Sequence, residues 1–363
     1  MTVATGFRLT YSTMFDPPAS LHERFEAALI GARSMMGAEH PMWIGGQAVA
    51  ADACFELRSP IDRDWLLGRF QSGGAHQVHG AVRAAREAFP AWSRTPWRER
   101  AALLRRAAAL LQERVWMLSA CLSIEVGKNR MESLGEVQET ADLISWYCDR
   151  MEENDGFARD LPLDPLPGFT SRNRTVLKPY GAWAVIAPFN FPFALAGGPV
   201  AAALLTGNTA VFKVASDTAW SGTLLMQAFQ DAGLPDGVLN HVSGPGGTVG
   251  EALARHPDVA GITFTGSHSV GTSIAREFAG GRWLRPCIAE MGGKNAVIVS
   301  ARADLDRAAA GIVRSAFGLQ GQKCSAASRV YVAQEVAEGL RERMVALTEA
   351  IQVGDPTLRE NWM

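Results

Sequence analysis

After Tyr180 the sequence falls into a repeating texture that few architectures can satisfy. Short apolar runs, AWAVIAP, TAVFKV, GVLNHVS, GITFTG, PCIAEMG and NAVIVS, alternate with amphipathic stretches of about ten to fifteen residues. The runs read as strands and the stretches between them as helices. Strand and helix in strict alternation build crossover units on a parallel sheet, so the expected fold is α/β, a doubly wound parallel sheet of the Rossmann-like kind. Ligands in such sheets bind beyond the carboxyl ends of the strands, where loops lead into helix amino termini. The loops after these strands are therefore where chemistry is sought.

The chain ahead of this region is organised differently. Residues 1 to about 80 read as irregular, apart from MWIGGQAV, which predicts a short hairpin around Gly45 and Gly46. From Ala81 to about Met151, alanine, leucine, arginine and glutamate at helical spacing predict two or three helices, broken near Pro90, Pro96 and Gly127. Between Glu152 and Pro179, proline, aspartate and glycine accumulate, the mark of a protruding hairpin. The expected division is 1–152, a helical part of a cofactor-binding domain; 153–178, a hairpin serving oligomer assembly; 179–290, the Rossmann-like domain; and 291–363, an incomplete α/β catalytic domain.

Bulk properties narrow the partners. The chain has 363 residues, 47% of them hydrophobic, enough for a substantial core. A formal net charge of −2 provides no basic field, so neither nucleic acid nor an anionic membrane is expected as a partner. The apolar run Phe193 to Gly207 falls short of the roughly 20 residues a bilayer requires and reads as a buried helix. MTVATGFRLTYSTMF lacks the order of a secretion signal, so a cytoplasmic location is expected. Cysteines at 54, 121, 148, 287 and 324 form no C-x-x-C, which fits neither a disulfide framework nor a zinc site. His76 and His79 have no further ligands nearby in sequence, so no metal is expected.

Four loops after strands carry residues suited to one site. In APFNFP (Ala187 to Pro192), two prolines and two phenylalanines stiffen a turn that presents Asn190, whose amide can donate to an oxygen gaining negative charge or simply cap the next helix. Lys213 ends an apolar strand, where its ammonium suits a ribose or phosphate, or snorkels to solvent. ITFTGSHSVG leads from strand to a helix starting near His268. Its glycines, Gly266 and Gly271, are spaced G-x-x-x-x-G, a weak indication of pyrophosphate binding without the G-x-G-x-x-G fingerprint. Glu290 follows an apolar run and precedes two glycines. In partly apolar surroundings it would suit a general base, and it could equally be an ordinary strand-end carboxylate.

A fifth stretch, SAFGLQGQKCSAASR, holds Cys324 among small residues and beside Lys323. A thiol of ordinary pKa is only a few per cent thiolate at neutral pH, so a nucleophile needs a neighbouring charge or base. Lys323 and the loop amides could supply it, and Ser325, Ala326 and Ala327 leave room for a substrate carbon. Cys121, Cys148 and Cys287 lie in apolar helical or strand contexts and read as core residues.

Taken in order, these loops resemble the NAD(P)-dependent aldehyde dehydrogenase superfamily. The glutamate motif E-x-G-G-K appears at Glu290 to Lys294 and the cysteine motif G-Q-x-C at Gly321 to Cys324, with glutamate and cysteine 34 residues apart. The similarity runs from about MWIGGQAV to the last residues. It implies Cys324 as nucleophile, Glu290 as the base that activates water, and Asn190 with the Cys324 N–H as oxyanion donors. It implies NAD or NADP as cofactor, with Lys213 and Ser216 near the ribose, Gly266, Ser267 and Gly271 by the pyrophosphate, and Pro188 and Phe189 alongside. IEVGKN, PFNFP and GQKCSAASR look most like the branch that oxidises glutamate semialdehyde, the 1-pyrroline-5-carboxylate dehydrogenases. In that branch the positions matching Glu125, Phe191, Lys323 and Ser325 line the substrate pocket. A homo-oligomer is implied as well.

The sequence departs from the family pattern at three places. Val214 stands where proline usually follows the lysine, and Ser216 where strictly NAD-dependent members often carry glutamate, which leaves coenzyme choice open. Family members also continue well beyond the position of Met363, so the 363 residues are expected to be a partial chain, inactive or impaired alone. Alternatives are another aldehyde class, a coenzyme-A-acylating relative, and a non-catalytic protein retaining the fold. Glu290 argues for hydrolysis over acyl transfer, and Cys324, Glu290 and Asn190 together argue against a scaffold.

Overall fold

The amino-terminal region is more regular than its sequence suggests. The structure, a computed structural model, describes residues 17–163, 167–168, 170–281 and 283–363. It opens with helix α1 (Ala19–Ser34), then strands β1 (Ala38–His40), β2 (Met42–Ile44), β3 (Gln47–Val49), β4 (Cys54–Arg58) and β5 (Leu66–Gln71), and helix α2 (Ala75–Trp92). The irregular reading of residues 1 to about 80 is thus corrected from residue 17 onward, and residues 1–16 lie outside the described residues. Strands of three residues are too short for alternation to register. In α1 the signal was present, because Leu21, Phe25, Leu29 and Ala32 recur at helical spacing and all are buried. The expected hairpin is there: Ile44 pairs with Gln47 across Gly45 (φ 61°) and Gly46 (φ 79°), the doubly left-handed turn whose twist matches paired strands.

The helical region holds four helices instead of two or three: α2, α3 (Trp97–Glu113), α4 (Val115–Val126) and α5 (Arg130–Glu153). Pro90 does not break α2. It sits in the last turn, where little of the ladder remains to be lost, and Trp92 beyond it is anchored by an indole N–H donated to the Leu204 carbonyl at 3.1 Å. Pro96 precedes α3 and Gly127 ends α4, both as expected. Strands β6 (Ala158–Asp160) and β7 (Arg174–Val176) pair antiparallel as an exposed hairpin.

Next come β8 (Ala182–Ile186), α6 (Ala194–Leu205), β9 (Thr209–Lys213), α7 (Ala219–Asp231), β10 (Leu239–His241), α8 (Glu251–Arg255), β11 (Gly261–Gly266), α9 (His268–Ala279) and β12 (Cys287–Met291). The main sheet runs β12-β11-β8-β9-β10-β2-β3, with the first five strands parallel and the hairpin closing one edge antiparallel. Successive side chains of its central strands enter opposite cores. Trp183, Val185, Ala210 and Phe212 join the larger core with α3–α7, while Ala182, Ala184 and Val211 join a second core with α2 and α9. Each fully buried side chain of Phe212's kind is worth about 1.5–3 kcal/mol. The chain moves outward from β8 through β9 to β10, then returns to β11 on β8's other side. That reversal creates the crevice at which doubly wound sheets bind ligands.

The last expected strand lies outside this sheet. β13 (Asn295–Val299) pairs in parallel with β14 (Ala327–Val332) as a separate layer. It is covered by α10 (Leu305–Phe317) and α11 (Ala337–Glu349) around Val299, Ala309, Ile312 and Leu340. Among the described residues no helix is long and apolar enough to cross a membrane, and no cluster of three or more metal-ligating side chains occurs.

Candidate active site

A cleft of about 1120 Å³ opens along the carboxyl ends of the parallel strands. Four of the loops that the sequence singles out build its wall, Ile186 to Asn190 at the end of β8, Lys213 with Ala215 to Asp217 at the end of β9, Thr265 to Ser267 at the end of β11 and Met291 to Lys294 at the end of β12, joined by Gly246 and Gly247 after β10, which the sequence reading passed over. Gly321 to Cys324, just ahead of β14, close it from the second layer.

Cys324 is exposed to this cleft. Cys121 and Cys148 are fully buried, and burial pushes both thiols up, Cys148 to about 11, so neither competes as nucleophile. The loop ahead of Cys324 is held under strain. Leu319 (φ 50°), Gln320 (φ 53°) and Gly321 (φ 72°) are consecutive left-handed residues, two of them without glycine's freedom. Leu319 is buried to 1% exposure and Asn295, at the start of β13, donates to the Cys324 carbonyl at 2.7 Å. A Cβ on Gly293 would come within 3.0 Å of that same carbonyl, which explains the second glycine of the pair. Asn295 is a site-building residue that sequence reasoning passed over. Its one signal was a polar amide opening an apolar strand.

Asn190 reaches the cysteine loop directly. Its Nδ2 donates to the Gln322 carbonyl at 2.7 Å, two residues from Cys324, and the amide retains a second N–H. Lys213 is 3% exposed at the end of β9, with Nζ donating to the Val214 carbonyl at 2.8 Å. Burial pushes its ammonium down to about 8 against the opposing pull of Asp217. Ser216 donates to the Gly244 carbonyl at 2.9 Å. Pro188, Phe189 and Gly266 lie on the wall. Ser267 lies there too, but its hydroxyl caps α9, accepting from the Val270 N–H at 3.4 Å.

Four expectations need correction or adjustment. Gly271 is buried within α9, away from the cleft wall, because a Cβ there would strike Met291 Sδ at 2.7 Å; it permits helix-to-strand packing. Glu290 is exposed, and the apolar surroundings expected for it are absent. It pairs in register with Thr265, which lines the cleft, so it stands on the same face of the sheet at the cleft's rim. Glu125, implied as a substrate-pocket residue, is not among the residues that line this cleft. It is 3% exposed and accepts hydrogen bonds from the Trp220 N–H (2.8 Å), the Ser221 N–H (3.0 Å) and the Ser221 hydroxyl, capping α7. Lys323 turns from the thiol to pair with Glu132 on α5 at 3.2 Å.

Phe191 has two ammonium groups near its ring, Lys128 Nζ at 3.5 Å and Lys323 Nζ at 5.9 Å from the ring centre. Glu139, on α5, feels both lysines, though burial still raises its carboxyl. Ser325 is exposed beside Cys324. A dinucleotide fits this architecture. Gly246 and Gly247 put no side chain into the cleft, and a Cβ on either would meet nothing within 4 Å.

A doubly wound sheet with a cysteine loop closing its switch-point crevice defines the class, and comparison gives the same answer. The chain belongs to the aldehyde dehydrogenase family, whose model matches residues 47–363. It is 40% identical over 346 residues to a 1-pyrroline-5-carboxylate dehydrogenase of Geobacillus thermodenitrificans (strain NG80-2), which covers 94% of this chain and 66% of that protein. A crystal structure of 1-pyrroline-5-carboxylate dehydrogenase from Thermus with bound NAD superposes with a TM-score of 0.89 at 35% identity, covering 98% of this chain and 69% of that one. A second, the NADP-dependent glyceraldehyde-3-phosphate dehydrogenase of Bacillus halodurans C-125 complexed with NADP, gives 0.81 at 33% identity, covering 88% and 66%. The chain thus spans about 66% of the length of the curated relatives it matches.

Proposed function

We propose that the protein oxidises an aldehyde to a carboxylate with NAD or NADP through Cys324, the substrate being L-glutamate 5-semialdehyde, the open form of 1-pyrroline-5-carboxylate. The observation that carries this reading is the meeting of the exposed Cys324 and the Asn190 amide in the crevice whose strand ends also carry Lys213. Lys213 would hold the ribose of NAD or NADP, and the cofactor held there would supply the acceptor for the substrate's hydride. The Cys324 thiolate adds to the aldehyde carbon, and the spare Asn190 N–H with the Cys324 backbone N–H holds the resulting oxyanion. Loss of hydride from that carbon leaves a thioester on sulfur. Glu290 at the rim draws a proton from water, which adds to the thioester and releases carboxylate and thiol.

The substrate assignment is supported by the names of the curated relatives and by Lys323, which lies 5.9 Å from the Phe191 ring, pairs with Glu132 and acts on Glu139, a mixed-charge setting suited to an amino acid. Self-association is supported by the β6–β7 region, where Leu161, Leu163, Val176 and Leu177 are exposed. Five free cysteines accord with a reducing, cytoplasmic setting.

The test is an aldehyde panel including pyrroline-5-carboxylate, assayed with the protein at its natural length by nicotinamide absorbance. Pyrroline-5-carboxylate should give the highest kcat/KM, and Cys324→Ala should abolish the burst of reduced cofactor. Turnover that survives Cys324→Ala, or no oxidation of any aldehyde, would sink the reading.

A further inference from the structure

Behind the Asn190 loop lies an ion pair from which solvent is fully excluded: Lys128, between α4 and α5, with Glu136 on α5, both side chains 0% exposed. Glu136 Oε2 accepts from Lys128 Nζ. Its other oxygen accepts from the Phe193 N–H at 2.8 Å and the Ala194 N–H at 3.3 Å, the first turn of α6. Phe193 offers no side-chain cap of its own, so the cap comes from another helix. Lys128 Nζ also sits 3.5 Å from the centre of the Phe191 ring.

We infer that Glu136 and Lys128 are positioning residues for Asn190, an assignment that rests on the oxyanion role proposed above. β8 fixes one end of APFNFP; the pair fixes the other, with Glu136 gripping the backbone three residues after Asn190 and Lys128 holding the ring directly after it. Stability alone gives little reason for such a pair. Replacing a buried ion pair with apolar side chains of similar volume is often neutral or stabilising. What an apolar pair cannot do is accept the two N–H groups and so fix where the Asn190 amide points.

The experiment uses the protein at its natural length and reads the burst of reduced cofactor with pyrroline-5-carboxylate, together with cofactor affinity and thermal midpoint. Glu136→Leu with Lys128→Met should leave cofactor affinity near wild type, lower the thermal midpoint because the buried Phe193 and Ala194 N–H groups lose their acceptor, and slow the burst roughly 10- to 100-fold, the scale of a displaced oxyanion donor. Glu136→Gln with Lys128→Met keeps an acceptor for the N–H groups and should recover the burst to within about threefold of wild type. In an Asn190→Ala background the Leu/Met pair should cause no further slowing, since its effect passes through the missing amide. Should the apolar pair not fold, the same cycle is run with Glu136→Asp, which shortens the reach and keeps the charge. An unchanged burst in a folded variant, or slowing that persists in full without Asn190, overturns the positioning role while leaving the proposed function standing. If Asn190→Ala by itself leaves the burst unchanged, the oxyanion assignment falls and this inference falls with it.

Discussion

The hydroxyl of Ser216 donates to the Gly244 carbonyl and places no negative charge on the cleft wall at this position. A carboxylate there would accept from a ribose hydroxyl and repel a 2′-phosphate. Ser216→Glu is therefore expected to lower kcat/KM with NADP by about tenfold or more relative to NAD, since tenfold needs only about 1.4 kcal/mol of differential interaction. Coenzyme competition assays check it, and an unchanged ratio would show that the ribose lies elsewhere. Cys324, Asn190 and Lys213 could be picked out in the sequence because each follows a run that reads as strand or small-residue loop, and sheets of this class put their chemistry there. Glu125 could not be placed in that way. Its partner Ser221 lies 96 residues on, and only the fold shows that the carboxyl is consumed in capping a helix.

Among the elements, α7 depends most visibly on that distant cap. Glu125 accepts three hydrogen bonds, from Trp220 and Ser221, which favour its charged form, yet full burial outweighs them and pushes its carboxyl from 4.5 up to about 8. Folding therefore takes up a proton between those two values. The stability this contributes is complete below pH 4.5 and is lost as pH rises through about 8. Glu125→Gln removes the titration while retaining a carbonyl acceptor. The melting temperature of the wild type should fall between about pH 6 and about pH 9 more steeply than that of the variant. Parallel slopes would show that Glu125 does not titrate in this range. The elements most readable in advance were the central strands and the hairpin at Gly45 and Gly46, whose apolar runs or turn residues specify them locally. The short strands β1, β4 and β5 were not readable, because pairing partners remote in sequence or scarcely longer than themselves define them.

Across the whole molecule, one buried arginine joins three distant parts of the chain. Arg130, at the start of α5 and 4% exposed, donates to the Thr357 carbonyl at 2.8 Å and to Glu26 of α1 at 3.1 Å, and lies 2.8 Å from His22 Nδ1. Asn129 beside it donates to the Trp362 carbonyl at 2.7 Å. Residues 355–363 are thus pinned against the amino-terminal helices, although more than two hundred positions separate them in sequence. Burial and the Arg130 charge together lower the His22 imidazole, so the cluster keeps its cation on the arginine. Arg130→Met preserves much of the apolar stem but leaves the buried Thr357 carbonyl without its donor. The cost should be about 3 kcal/mol, and the loss should be greatest at the pinned segment. Thermal melting should register the global destabilisation, and trypsin should cut at Arg359 in the variant well before it does so in the wild type. Equal cleavage rates in the two proteins would mean that Asn129 and local packing hold residues 355–363 without the arginine.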